Sequence, residues 1–152
     1  MFRIIKIRTM RSCDSQFTTV TRSDDPRITG LGHIVRKCKI DELPQFINVF
    51  AGSMSIVGPR PDVPGFADNL TGLDKSVLCL RPGITGVASL AFRNEESLLS
   101  LQPNPEKHNL EVMFPEKTRL NLLYIENYSI LRDVGYILET LTGIVLVKND
   151  GR

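Results

Sequence analysis

The chain has no tryptophan, three cysteines and two histidines in 152 residues, and these scarcities exclude several classes of protein. Cys13, Cys38 and Cys79 are odd in number and never spaced as Cys-x-x-Cys. They fit reduced thiols rather than a disulfide framework or a cysteine-held zinc. His33 and His108 stand in no partnered pattern. A Gly-x-Ser-x-Gly elbow, a Walker loop and a Gly-x-Gly-x-x-Gly fingerprint are all missing, which argues against serine hydrolases, P-loop enzymes and dinucleotide enzymes. The N-terminus alternates apolar and basic residues instead of reading as a signal peptide. The longest apolar stretch, 134–147, carries Glu139 and falls short of the ~20 residues of a spanning helix. A net charge of +2, no tryptophan and no interleaved aromatics speak against a nucleic-acid module.

What is present fits one domain over residues 1–152, with 41% hydrophobic and 24% charged residues, enough to bury a core without disulfides or metals. Positive charge gathers early: Arg3, Lys6, Arg8, Arg11, Arg22, Arg27, Arg36, Lys37 and Lys39 all precede Asp41. That third suits an anionic partner, a phosphate-rich ligand or a lipid surface. Residues 2–10 read as a strand, and 12–27 as a polar loop. Thr29 is placed to cap a helix through Lys37, with Ile34 and Val35 facing inward. A second helix opens at Asp41 and stops at Gly52, with Leu43, Phe46, Ile47 and Phe50 spaced as a buried face. Residues 57–86 read as irregular, Pro- and Gly-rich backbone, and 101–116 as a second loop. Two helices are predicted at 116–128 and 130–147. Leu131, Val134, Ile137, Leu138, Leu141, Ile144 and Val145 on the last form a stripe for the core or, as the alternative, for a membrane surface. The expected class is a mostly helical, compact α+β domain with a short β element and irregular Pro/Gly-rich active-site loops.

Asp41 and Glu42 stand together at a helix start, where the macrodipole favours ionised carboxylates. The plain reading of Asp41 is an N-cap. The chemical one is a nucleophile toward phosphorus, with Asp41 and Glu42 sharing Mg²⁺ through oxygen ligands only. Arg60 is held between Pro59 and Pro61, Arg81 precedes Pro82-Gly83, and Arg93 follows soon after. Each alone reads as a surface residue; together they could cradle a diphosphate, because the guanidinium fork matches phosphate oxygens.

The segments Ile40-Asp41-Glu42-Leu43-Pro44-Gln45, Asn48-Val49, Gly52-Ser53-Met54-Ser55, Val57-Gly58-Pro59-Arg60-Pro61 and Arg81-Pro82-Gly83-Ile84-Thr85-Gly86 resemble the bacterial sugar transferase family, the monotopic phosphoglycosyl transferases of cell-surface glycan pathways. Lys6-Ile7-Arg8-Thr9-Met10, Arg36, Arg93, Tyr124 and Asp133 extend the resemblance over nearly the whole chain. It implies a two-step transfer at the cytoplasmic face of the bacterial inner membrane. Asp41 would take a sugar-1-phosphate from a UDP-sugar, and undecaprenyl phosphate would receive it. Glu42 would assist through Mg²⁺ or the acceptor's proton, and Lys6, Arg36, Arg60, Arg81 and Arg93 would face phosphates. The resemblance leaves the sugar, the glycan pathway and homo-oligomerisation open. The family's hydrophobic re-entrant helix is expected to be missing ahead of Met1. Lys39 stands where a small hydroxyl residue is usual, Ser53 where Asp is common, and Val87 where Trp is usual. The rival expectation is a truncated, inactive remnant that acts at most as a nucleotide-sugar or membrane-surface binding module.

Overall fold

A computed structural model describes residues 2–11, 21, 23–61 and 69–147. The polar loop expected at 12–27 lies largely outside these residues, as does Pro64.

Thr29 opens α1 (Gly30–Lys37) as its N-cap, and its Oγ1 accepts the Gly32 N–H at 2.9 Å. The inward face is only in part the predicted one, since Val35 is half-buried but Ile34 is not. Gly32 is buried and Ile34 is exposed, because Gly32 packs so closely on the Thr9 carbonyl that a Cβ there would collide with it. After α1, Lys39 adopts a left-handed conformation (φ 56°) and turns the chain into a 3₁₀ turn, Ile40–Glu42, from which α2 (Gln45–Phe50) continues. Pro44 sits just ahead of α2, where its missing N–H costs no helical bond.

Helix α2 is turned opposite to its predicted orientation. Its buried residues are Gln45 and Asn48, while Leu43, Phe46, Ile47 and Phe50 face out, Phe50 at 90% exposure. Asn48 explains this. Its Oδ1 accepts the Ile5 N–H at 3.0 Å and its Nδ2 donates to the Arg3 carbonyl at 2.8 Å. The predicted strand at 2–10 is therefore an extended strap rather than a sheet strand. It is held by Asn48, by the Asp41 carbonyl (from the Ile7 N–H, 3.1 Å) and by a bridge between Met10 and Ile28.

The sheet lies instead at the two edges of the region expected to be irregular. Strands β1 (Ser55–Val57) and β2 (Gly83–Thr85) run parallel, Ser55 opposite Gly83 and Val57 opposite Thr85. A 3₁₀ helix, Gly72–Cys79, lies on the connection between them. Gly58, Gly83 and Gly86 let the two backbones meet, since a Cβ on any of them would strike backbone atoms of the opposing turn. The Gly58 N–H donates to the Thr85 carbonyl (2.9 Å) and the Gly83 N–H to the Pro59 carbonyl (2.8 Å). The Pro59-Arg60-Pro61 elbow and the Arg81-Pro82-Gly83 turn are thus one bonded unit.

Short helices α3 (Val87–Ala91) and α4 (Glu95–Ser100) follow. The second predicted loop is mostly helical. Helix α5 (Pro105–His108), a π-helical turn (Asn109–Met113) and α6 (Phe114–Glu126) run on one from another. Pro105 falls in the first turn of α5, capped by Asn104 Oδ1 on the Lys107 N–H (3.0 Å). The wider turn just before Pro115 accommodates a residue that cannot donate an i→i−4 bond. Helix α7 (Ile130–Thr142) matches the last predicted helix but ends early, at Gly143 in the left-handed region (φ 74°).

The core joins Val57, Val87, Ala88, Leu120, Tyr124 and Tyr136, with Ile137 and Val147 packed against it. The Tyr124 hydroxyl donates to Asp133 at 2.8 Å, tying α6 to α7. Burial and that bond push the Tyr124 hydroxyl well above the usual tyrosine range. Helix α7 buries Tyr136 and Glu139, not its apolar stripe. Leu131 is 82% exposed, and Val134, Leu138, Leu141, Ile144 and Val145 also face out. The expectation that this stripe packs on the core therefore holds only for Ile137. The assembly is a mostly helical α+β fold with a two-stranded parallel sheet. Among the described residues, no helix is long and apolar enough to cross a membrane.

Candidate active site

The end of α1, the strap, the Pro59-Arg60-Pro61 elbow and helices α3 and α4 surround a cavity of about 820 Å³. Asp41, Glu42, Lys6, Arg36, Arg60 and Arg93 all line it, so the structure brings together six of the seven residues singled out from sequence. Arg81 is not among the described residues that line it. Its guanidinium lies near Gly52, at the turn between α2 and β1, and the Arg-Pro-Gly turn serves the cavity through backbone by fixing the Arg60 elbow.

The two carboxylates occupy different environments. Glu42 is 9% exposed, and its Oε1 accepts Arg60 Nη2 at 3.0 Å and faces Lys6 Nζ at 3.6 Å. Burial alone would push its carboxyl up, but the Arg60 and Lys6 cations outweigh that cost and hold it below the usual range. The Lys6 ammonium is lowered by burial and by neighbouring Arg60, against the opposing pull of Glu42 and Asp41. Asp41 lies half-buried on the same wall, its backbone carbonyl holding the strap at Ile7. Its carboxylate makes no hydrogen bond or ion pair among the described residues, which leaves its oxygens open to the cavity.

The other cations are held by acids that sequence reasoning did not single out. Arg36 pairs with Glu96 and also reaches Thr9 Oγ1 at 3.4 Å. Lys117 pairs with Glu95 at 2.7 Å and lies 5.6 Å from the Phe92 ring centroid. Arg93 pairs with buried Glu139 at 3.3 Å. Partners 22, 46 or 60 residues apart in the chain leave no local spacing to read. The near neighbours Asp41, Glu42 and Arg60 do.

Among the described residues no group of three or more His, Cys, Asp or Glu gathers to enclose a metal. Glu42 already holds Arg60 and Lys6 through Oε1, so a hard cation sharing its shell with substrate oxygens would draw on the Asp41 carboxylate and the remaining Glu42 oxygen.

Comparison with known proteins identifies the family. The family model described as bacterial sugar transferase matches residues 1–147. The galactosyl transferase CpsE of Streptococcus agalactiae is 38% identical over 123 residues, which is 81% of this chain and 24% of that protein. The exopolysaccharide production protein ExoY of Sinorhizobium fredii is 33% identical over 131 residues, 86% of this chain and 51% of its own. A UDP-glucose:undecaprenyl-phosphate glucose-1-phosphate transferase of Caulobacter vibrioides is 33% identical over 153 residues, covering 97% of this chain and 53% of its own. The chain belongs to the bacterial sugar transferase family. It spans about half or less of the length of these relatives.

Proposed function

We propose that this chain carries the chemistry of a phosphoglycosyl transferase, moving a sugar-1-phosphate from a UDP-sugar to undecaprenyl phosphate. The observation that carries the reading is the asymmetry between two adjacent carboxylates: Glu42 is fixed between two cations, while Asp41 opens unpaired onto the same cavity. A nucleophile has to be ionised and unpaired, and its neighbour has to hold the cations that receive the developing phosphate charge.

In the first step an Asp41 oxygen attacks the sugar-bearing phosphorus. The P–O bond to UMP breaks, UMP leaves with that electron pair, and an acyl phosphate joins the sugar phosphate to Asp41. In the second, an oxygen of the acceptor phosphate attacks the same phosphorus and frees the Asp41 carboxylate. Lys6 and Arg60, held by Glu42, face the phosphates from one side, and Arg36 and Arg93 from the others. Mg²⁺, held by Asp41 and Glu42 with substrate oxygens, would neutralise phosphate charge. The names of the Caulobacter relative and of a UDP-galactose-lipid carrier transferase of Erwinia amylovora support a nucleotide sugar and a lipid carrier as the two substrates. The apolar residues turned outward on α2 and α7 support working at a bilayer surface.

Asp41→Asn keeps the shape and removes the nucleophile, so we expect loss of the covalent phosphosugar and of UMP release, with unfolding temperature preserved. UMP release at near the wild-type rate from Asp41→Asn would overturn the assignment.

A further inference from the structure

Glu139 is 6% exposed, lies outside the cavity and takes no part in the proposed transfer. Its two oxygens hold different segments. Oε1 accepts Arg93 Nη2 at 3.3 Å, and Oε2 accepts the Leu146 N–H at 3.3 Å. Arg93 is tied again by Nη1 to the Gly143 carbonyl (3.3 Å) and by Nε to the Leu90 carbonyl (3.4 Å). The left-handed Gly143 turns the chain back along α7. Gly135 leaves the space that the Val147 side chain fills, and Val147 packs on the core.

We propose that Glu139 is a positioning residue, which through Arg93 makes the C-terminal turn of α7 part of the phosphate-binding wall. A buried carboxylate facing only donors fixes a guanidinium in a way that exposed pairing does not. Arg93 has no rigid flanking prolines of the kind that hold Arg60, so its aim depends on the Glu139 oxygen and the two carbonyls. Glu139→Gln tests this sharply. The amide keeps one acceptor oxygen, but its NH₂ must then face either the Arg93 fork or the Leu146 N–H, donor against donor.

The functional half rests on the reading of the cavity as a nucleotide-sugar site. With UDP-glucose as the probe and the full chain in calorimetry, Glu139→Gln should weaken binding about 10-fold, the scale of one hydrogen bond to a charged group. In an Arg93→Ala background the same change should add less than about twofold, because the two residues act as one unit. Unchanged binding in Glu139→Gln, or two effects that multiply, would overturn the inference. Should Glu139→Gln fail to fold, Glu139→Asp, which keeps the charge and shortens the reach, carries the same comparison. A wild-type chain that binds neither UDP-glucose nor UDP-galactose would count against the nucleotide reading instead. The positioning role is then decided without ligand, by solvent exchange in NMR of the Arg93 Nη2 protons, the group whose bond Glu139 Oε1 accepts. Faster exchange in Glu139→Gln supports it, and equal exchange overturns it.

Discussion

Glu42 shows how one buried carboxylate can hold two cations in place. The folded protein lowers its pKa, because the attraction of Arg60 and Lys6 exceeds the cost of burial. The unfolded chain restores the ordinary value of 4.5, so the unfolded state binds the proton more readily. Stability from this group is therefore fully present above that value and is lost as pH falls through the depressed folded pKa. We expect unfolding temperature to drop on the acid side of pH 4.5 in the wild type, and this part of the slope to vanish in Glu42→Gln. Parallel thermal melts across the acid range make the comparison; an identical slope in both proteins would refute the assignment. Reading the sequence found this residue for a physical reason. Asp41, Glu42 and Arg60 lie within one short segment whose prolines restrict the backbone. Glu96 and Glu139 reach their arginines only through tertiary packing, and no spacing in the chain announces them.

The elements were legible where local chemistry sets them. The Thr29 cap marks α1, and the apolar stripe of 130–147 marks α7 as a helix although most of that stripe faces outward. The structure departs from expectation where apolar spacing does not mean burial. In α2, one amide, Asn48, makes two bonds to the strap and turns the polar side inward, so a helix of the right periodicity buries the unexpected face. The strands were missed because their three-residue spans sit among glycines and prolines that read as loop. One junction remains costly. Lys39 holds a left-handed conformation at the step from α1 to the Asp41 turn, and for a side chain with a Cβ that costs roughly 1–2 kcal/mol. Glycine relieves the strain but loses more entropy on folding, roughly 0.5–1 kcal/mol. Lys39→Gly should therefore stabilise by on the order of 0.5–1 kcal/mol, a rise of a few degrees in unfolding temperature. A drop in that temperature would mean that the Lys39 side chain contributes more than its backbone costs.

At the scale of the molecule, the exposed apolar side chains form a pattern rather than a scatter. Leu43, Phe46, Ile47 and Phe50 line the outer side of the 43–50 segment. Beside them run Ile4, Ile5 and Ile7 of the strap, joined to the same segment by the Asn48 and Asp41 hydrogen bonds. Arg3 and Lys6 alternate with these isoleucines along the strap, and Lys6, Lys37 and Lys39 line the cavity. An apolar face with basic neighbours is what an anionic bilayer surface attracts. Each signal is modest alone, so the chain should bind anionic vesicles weakly and release them in high salt. Phe46→Ser with Phe50→Ser should lower partitioning about 10-fold or more, since a fully buried phenylalanine contributes ~1.5–3 kcal/mol and insertion here is partial. Unfolding temperature should fall only a little, because Phe50 is 90% exposed and Phe46, though 40% exposed, is not part of the core cluster. Co-sedimentation with anionic and neutral liposomes at low and high salt reads the result. Partitioning that ignores the double substitution would move the membrane contact elsewhere, the apolar stripe of α7 being the next surface to change.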